Sequence, residues 1–280
     1  MLLSMLKVRY SVVGIYGERF HAYLALPSWS HSNESQIVEM QFNLGAESIS
    51  KLLMTNSSEN FSASANSKTA GVVLSVNISA IRTILSRGRE VTTGIYKKPV
   101  IGRVRVRGVN IEGDEQADRK NHGGLHKAIY AYAYEDYEWF STEYARQFAP
   151  GDFGENLTTT VIDVTHAVIG EHWKIGSAEF EVSEPRIPCY KLGLKLNDPA
   201  FPAAFAKALR PGAYLRIIKE GELEASDSVE ILARPEHGVT VCDVANAYLF
   251  DHRLFPRLLE VPELRSDWHD RARNATGHKR

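Results

Sequence analysis

The chain has 280 residues, 44% of them hydrophobic, and its 33 Lys+Arg against 34 Asp+Glu leave a formal net charge of -1. That length serves one large or two modest cores of an ordinary soluble protein. The charge balance excludes a nucleic-acid binder that works by bulk neutralisation, but leaves room for a basic pocket around one small anion. With only two cysteines, Cys189 and Cys242, a disulfide framework and a self-contained iron–sulfur cluster are both excluded. No apolar run has bilayer length, and the opening MLLSMLKVRY lacks the apolar core and cleavage site of a signal peptide. A cytoplasmic, non-membrane protein is expected.

Residues 1–70 read as an N-terminal extension. Met1–Leu26 has material for a strand or two, whereas Ser28–Ala70 is rich in Ser and Asn and reads as linker or partly disordered chain. A start codon assigned too far upstream gives the same pattern, and no chemistry is assigned there. Beyond it, a β-barrel domain is expected over 71–234 and a small helical domain over 235–280.

The segment VVLSVNISA (72–80) reads as a strand. In Gly102–Val109, Val104 and Val106 alternate with Arg103, Arg105 and Arg107, one face buried and the other wet. Ala178–Val182 and Tyr214–Ile218 behave similarly. Short strands punctuated by Gly113, Gly123–Gly124, Gly151 and Gly154 predict a mainly-β domain with helices, a small mixed or closed barrel. A helix over Glu135–Phe148 gathers Trp139, Phe140, Tyr144 and Phe148 on one apolar face, and a second fits Pro202–Leu209. After Arg234 the period changes to 3.6. Thr240 and Asp243 form a capping-box pattern, with Asp in place of Glu, and short helices fit Arg253–Leu259 and Glu263–Ala272. This terminal unit is too small for much stability of its own, so it is expected to dock on the barrel or on a second subunit of a homodimer. Cys242, in its first helix, reads as packing.

The chemistry concentrates in three segments. The run SEPRIPCYKL (183–192) places Cys189 in a proline-stiffened turn with Arg186 and Lys191 close by. Pro185 and Pro188 fix φ and remove backbone donors, so no regular ladder should continue there. A thiol beside two cations has reason to ionise, and a thiolate is both nucleophile and metal ligand; a small buried hydrophobe is the alternative. Upstream, Arg119, Lys120, His122, His126 and Lys127 surround the pair Gly123–Gly124, a cradle for a phosphate-like oxyanion or else a solvated charged loop. The Gly pair makes a helix there poor, which argues against His122 and His126 as an i,i+4 zinc pair. Finally, Glu155 and Asn156 in GDFGENL (151–157) either contact a base-like or amide-rich ligand or cap their own turn.

Taken together and in order, EGDEQADRKNHGG (112–124), GENL (154–157) and PRIPCYKL (185–192) closely resemble the MOSC domain, the C-terminal domain type of molybdenum cofactor sulfurases. VTTGIYKKPV (91–100) matches the bacterial branch with a small helical C-terminal domain, which includes proteins of 6-N-hydroxylaminopurine resistance. The resemblance spans roughly Val72–His269. It implies a β-rich barrel and a molybdenum–molybdopterin cofactor, with Cys189 as the protein ligand to the metal and the centre of catalysis. A soft metal suits that thiolate. Arg186 and Lys191, with the loop carrying Arg119, Lys120, His122, Gly123, Gly124 and Lys127, are then expected to hold the anionic pterin phosphate, with Glu155 and Asn156 nearby. The chain departs from many relatives in carrying His126, rather than an acid, before Lys127. It also lacks the aminotransferase-like domain of full sulfurases, so neither pyridoxal phosphate nor complete sulfurase chemistry is expected.

The resulting expectation is a molybdenum-dependent reductase of N-hydroxylated bases and related compounds, with His122 as proton donor. A cofactor carrier or sulfur-transfer module, with persulfide on Cys189, is one alternative; a non-catalytic binding module is another. With no cluster ligands and no Rossmann fingerprint, electrons are expected from a separate flavin or iron–sulfur reductase through a modest polar interface.

Overall fold

The computed structural model describes residues 10–16, 19–26, 36–42, 69–119, 121–275 and 277. The chain divides into two compact units, Met1–Ala65 and Asn66–Arg280. In the first, strands β1 (Tyr10–Tyr16), β2 (Arg19–Leu26) and β3 (Gln36–Phe42) make an antiparallel sheet in that order. The third strand falls within the stretch read above as linker. Ile37, Val38, Met40 and Phe42 give it β-compatible residues that the Ser/Asn average of the segment hides.

The second unit opens with β4 (Thr69–Ile78), the hairpin β5 (Arg82–Ser86) and β6 (Arg89–Thr93), β7 (Lys98–Val100), β8 (Val104–Arg107) and β9 (Asn110–Ile111). Strand β10 (Ile129–Ala133), helix α1 (Tyr134–Glu143) and strand β11 (Leu157–Thr160) follow, then β12 (His172–Ile175) and β13 (Ala178–Pro185). Helices α2 (Tyr190–Leu196) and α3 (Phe201–Ala208) lead to β14 (Ala213–Lys219), β15 (Gly221–Leu223) and β16 (Ser228–Ala233). The chain ends in α4 (Val241–Leu249), α5 (Phe255–Leu258) and α6 (Ser266–Ala275). Among the described residues, no helix is long and apolar enough to cross a membrane.

Strands β11, β10, β14, β13, β12, β16 and β4 pair in that order, and β4 pairs back onto β11, closing a seven-strand barrel; β7 adds to β4 outside the ring. This is the mainly-β barrel with helices that the strand pattern predicted. The single parallel pairing is β10 with β11, joined through α1 and the loop that follows it. Parallel neighbours need such a crossover.

The period of 2 in β10 feeds two different cores. Ile129, Ala131 and Ala133 pack with the barrel interior, whereas Tyr130 and Tyr132 join an aromatic cluster with Tyr137 and Phe140 of α1, Phe153, and Phe201 and Phe205 of α3. Each such ring removed from water contributes about 1.5–3 kcal/mol. Helix α1 is shorter than its apolar pattern predicted. It ends at Glu143, and Ala145 takes a left-handed φ of 47°, so Phe148 reaches the cluster from a loop while Tyr144 stays 40% exposed. The terminal helices share the barrel's core through Val241, Val244, Trp268 and Ala272.

The capping box at Thr240 is present. The Thr240 hydroxyl accepts from the Asp243 amide at 3.1 Å, and the Asp243 carboxylate accepts from the Thr240 amide at 2.9 Å. Thr240→Ala should therefore lower unfolding free energy by about 1 kcal/mol, measured by urea denaturation, with an unchanged m-value.

Candidate functional site

Helix α2 begins immediately after Cys189, whose backbone is extended at φ −127° and ψ 167°. Strand β13 ends at Pro185, and after Pro188 the chain turns into the helix, leaving the thiol at the helix entrance. The side chain faces an open cleft walled by the 93–97 loop, the 114–118 segment, His122, Gly154, Asn156 and the turn carrying Arg186, Cys189 and Lys191.

Burial pushes the Cys189 thiol up. Pairing with the His122 imidazole, the Arg186 guanidinium and the Lys191 backbone amide more than offset this, bringing it down to about 7. His122 is raised in return, chiefly by Cys189 and then by Asp118. Its Nδ1 lies 3.2 Å from Asp118 Oδ2, which leaves Nε2 for the sulfur side. Asp118 is in turn held well below the ordinary carboxylate range by the Asn121 side chain and amide and by His122. Asp118, His122 and Cys189 thus form an orienter, an imidazole and a thiol in series.

Arg186 is the most unusual group in the cleft. Only 5% of it is exposed, its guanidinium lies 5.4 Å from the Tyr130 ring centroid and 5.2 Å from that of Phe205, and its buried Nη1 has no hydrogen-bond partner. A desolvated cation with an unpaired donor is costly unless a ligand completes it. Lys191 also lines the cleft, its ammonium donating to the Thr92 carbonyl at 3.0 Å. Lys127 lines it as well and donates to the Asn121 carbonyl at 2.8 Å.

Other expected site residues play different parts. Glu155 does not reach the cleft: it is fully buried, and its two oxygens accept from the Gly151 amide, the Thr158 hydroxyl and the Tyr137 hydroxyl. It locks the loop beneath the cleft rather than contacting a ligand. Asn156 does line the cleft, but its amide donates to Asp114 at 3.0 Å and to the Asn77 carbonyl at 3.3 Å, while its carbonyl accepts from the Tyr130 amide. The Gly123–Gly124 pair is not an open amide cradle, because the Gly124 N–H donates to Gln116 Oε1 at 2.9 Å. A Cβ on Gly123 would sit 2.4 Å from that same oxygen, so the pair is there for close approach. The Arg119 side chain is exposed and outside the cleft lining, and Lys120 lies outside the described residues. His126 likewise stands away from the cleft, and burial and the nearby Arg216 and Arg265 hold it below its ordinary value.

Four lining residues escaped the motif reading. Lys97 is buried and paired with Asp114, which also accepts from the Ser79 amide at 2.9 Å. Gln116 ties the Gly pair to the Val109 carbonyl, donating to the latter at 2.8 Å. Asp118 is the fourth. Beneath them Lys195, which burial lowers to about 8, donates to the carbonyls of Ile95 and Gly151 and so joins two walls of the cleft. Lys97 belongs to VTTGIYKKPV and the other three to EGDEQADRKNHGG, the two segments already singled out.

Residues 118–230 match the MOSC domain model. The chain is 34% identical over 169 residues to the uncharacterized protein YflK of Bacillus subtilis, covering 60% of this chain and 76% of that one. It belongs to the MOSC domain family. The same barrel is seen in YiiM from Geobacillus stearothermophilus, with a TM-score of 0.61 and 27% identity, covering 73% of this MOSC protein and 98% of YiiM. A protein named Reductase from Gibberella moniliformis is 32% identical over 169 residues, covering 59% of this chain and 30% of that protein. MOSC domains are associated in general with molybdenum cofactor binding. The donor set here fits such a group: a soft thiolate at Cys189 and an unsatisfied buried guanidinium at Arg186 suit a thiophilic metal carried on an anionic scaffold.

The thiol is protonated below about pH 7 and anionic above it. Alkylation of cofactor-free protein by iodoacetamide should therefore rise with pH through a midpoint near 7. His122→Ala should move the midpoint upward, and Asp118→Asn should move it in the same direction by less. Cys242, raised by burial and by Asp243, should react more slowly. Mass-spectrometric site occupancy against pH checks all four expectations, and an unmoved midpoint in His122→Ala would exclude the Cys189–His122 pairing.

Proposed function

We propose that this MOSC protein is a molybdenum-cofactor-dependent reductase of N-hydroxylated bases and related N-hydroxylated compounds. The observation that carries the reading is the buried Arg186, with its unpartnered Nη1, beside a thiol brought to about 7 in the same cleft. Cys189 is the ligand that fixes the metal to the protein. Arg186 and Lys191, with Lys127, neutralise the anionic part of the cofactor. When bound, the cofactor supplies the two-electron chemistry that takes an N-hydroxyl group to an amine and water.

The remaining work falls to the chain. Asp118 holds His122 by Nδ1, keeping Nε2 turned toward the sulfur and the reacting end of the cleft, where it can hold and release the proton that the departing hydroxyl needs. Tyr130 and Tyr214 present ring surface for a flat base, and the adjacent Phe153 and Ile95 limit water there. Similarity to a longer protein named Reductase supports the redox class. Two cysteines do not make an iron–sulfur cluster, so electrons come from a separate flavin or iron–sulfur protein.

Cys189→Ser decides between this reading and a buried-hydrophobe role. Serine is close in volume but is a harder, far less acidic ligand. The variant should retain a near-wild-type thermal midpoint while losing bound molybdenum and nearly all reduction of 6-N-hydroxylaminopurine with an artificial electron donor. Cys242→Ser, whose sulfur faces the Leu209 carbonyl at 3.6 Å, should keep turnover per folded molecule. Normal molybdenum content and activity in the Cys189 variant would refute the proposed mechanism. A +32 Da adduct on Cys189 without pterin would instead favour sulfur transfer.

A further inference from the structure

The carboxylate of Glu184 lies where the barrel, the cleft and the terminal helices meet. It belongs to β13, two residues before Arg186, and its side chain is 2% exposed. Three donors from two directions share Oε2. Trp268 of α6 donates its indole N–H at 2.9 Å, and Arg265, just before that helix, lies at 3.5 Å. Lys127, from the cleft side, lies at 3.8 Å. The nearest donor is thus the neutral indole, and the cleft ammonium is the most distant of the three.

Lys127 is placed accordingly. Its ammonium donates to the Asn121 carbonyl at 2.8 Å and lies 5.5 Å from the Tyr214 ring centroid, with both Lys127 and Tyr214 lining the cleft. Among the described residues, the carboxylate at ion-pair distance from it is Glu184, whose Oε2 also accepts from the far side while its buried Oε1 has no partner. An ammonium in this setting keeps most of its charge available to an anion in the cleft. If the indole donor were lost, Glu184 would have one hydrogen bond fewer on its far side, and Coulomb attraction would draw it to Lys127.

We infer that Trp268 and Arg265 hold Glu184 back from Lys127, so that the C-terminal helices set the anion affinity of a cleft they do not line. Trp268 is a positioning residue, acting through Glu184 and then Lys127. The inference rests on the cleft accepting an anionic group, as the proposed function requires, but not on molybdenum or on turnover.

The test uses full-length, cofactor-free protein and inorganic pyrophosphate as the anion, with dissociation constants from calorimetric titration. Trp268→Phe keeps a ring against Tyr248, which packs edge-on at 5.6 Å, and removes only the N–H donor and part of the volume. It should weaken pyrophosphate binding about five-fold, a typical coupling between separated sites. Glu184→Gln should bind more tightly than wild type, because Lys127 then has no carboxylate beside it. In the Glu184→Gln background, Trp268→Phe should have no further effect. Equal weakening by Trp268→Phe in both backgrounds would overturn the inference, since the indole would then act by packing alone. Wild-type affinity in Trp268→Phe, weaker binding in Glu184→Gln, or no binding by wild type would also overturn it. If Trp268→Phe does not fold, Glu184→Gln alone decides. A working coupling in a protein that never carries molybdenum would leave this inference standing and remove the proposed function.

Discussion

A closed ring of strands must reverse direction an even number of times, so seven strands cannot all run antiparallel to their neighbours. Six antiparallel pairings and one parallel pairing satisfy the rule here, and the parallel one is β10 against β11. Much of the site follows from that constraint. A parallel pair needs a crossover, which is α1 and the loop after it. The loop must return tightly to the start of β11, and it does so through left-handed Gly151 and Gly154 and the buried Glu155, which gathers donors from Gly151, Tyr137 and Thr158. Gly154 and Asn156, at the end of that return, form one wall of the cleft. The aromatic side of β10 and the helix α3 that packs on it supply the rings on which Arg186 rests, Tyr130 and Phe205.

Electrostatics inside the cleft are unbalanced in one direction. The carboxylates of Asp114 and Asp118 each use both oxygens on protein donors, and Glu155 beneath them does the same. Arg186 differs, because its Nη1 is buried and unpaired. Arg186 is thus a buried cation with an unpaired donor, beside a thiol stabilised as its anion. Such a site is chemically suited to negative charge and soft metals. It would repel a bare cationic ligand from the Arg186 end, whatever the near-zero net charge of the whole chain implies about bulk behaviour.

Legibility in the sequence followed the range of the interactions. Strands β4, β13 and β14, helix α3 and the Thr240 capping box were readable because alternation, composition and a three-residue spacing are local. Helix α2 was not, because KLGLKL carries Gly193 and follows two prolines; close approach to the Asp198 carbonyl, 2.8 Å from where a Cβ would sit, explains that glycine. Cys189, Arg186 and His122 were legible from residue chemistry and motif order. Lys97, Asp114 and Gln116 were not, since each derives its place from partners far along the chain or across a turn, and on paper they are ordinary loop polars. Glu155 was misplaced for the converse reason: a carboxylate in a Gly-rich turn looks available until the buried Tyr137 and Thr158 are seen to occupy it.

The glycines of the 123–124 pair show how a motif and its mechanism can part company. A Gly-Gly turn among cations suggests amides waiting for an oxyanion. Here one amide is already spent on Gln116, and the missing side chain of Gly123 makes room for the same residue. Gln116 also donates to the Val109 carbonyl, so the glycines pin the turn against the connection between β8 and β9. Pinning that turn fixes what lies on either side of it: His122, which faces Cys189, and Lys127, which borders Glu184. The motif therefore works through rigidity, holding the two flanking side chains at the cleft.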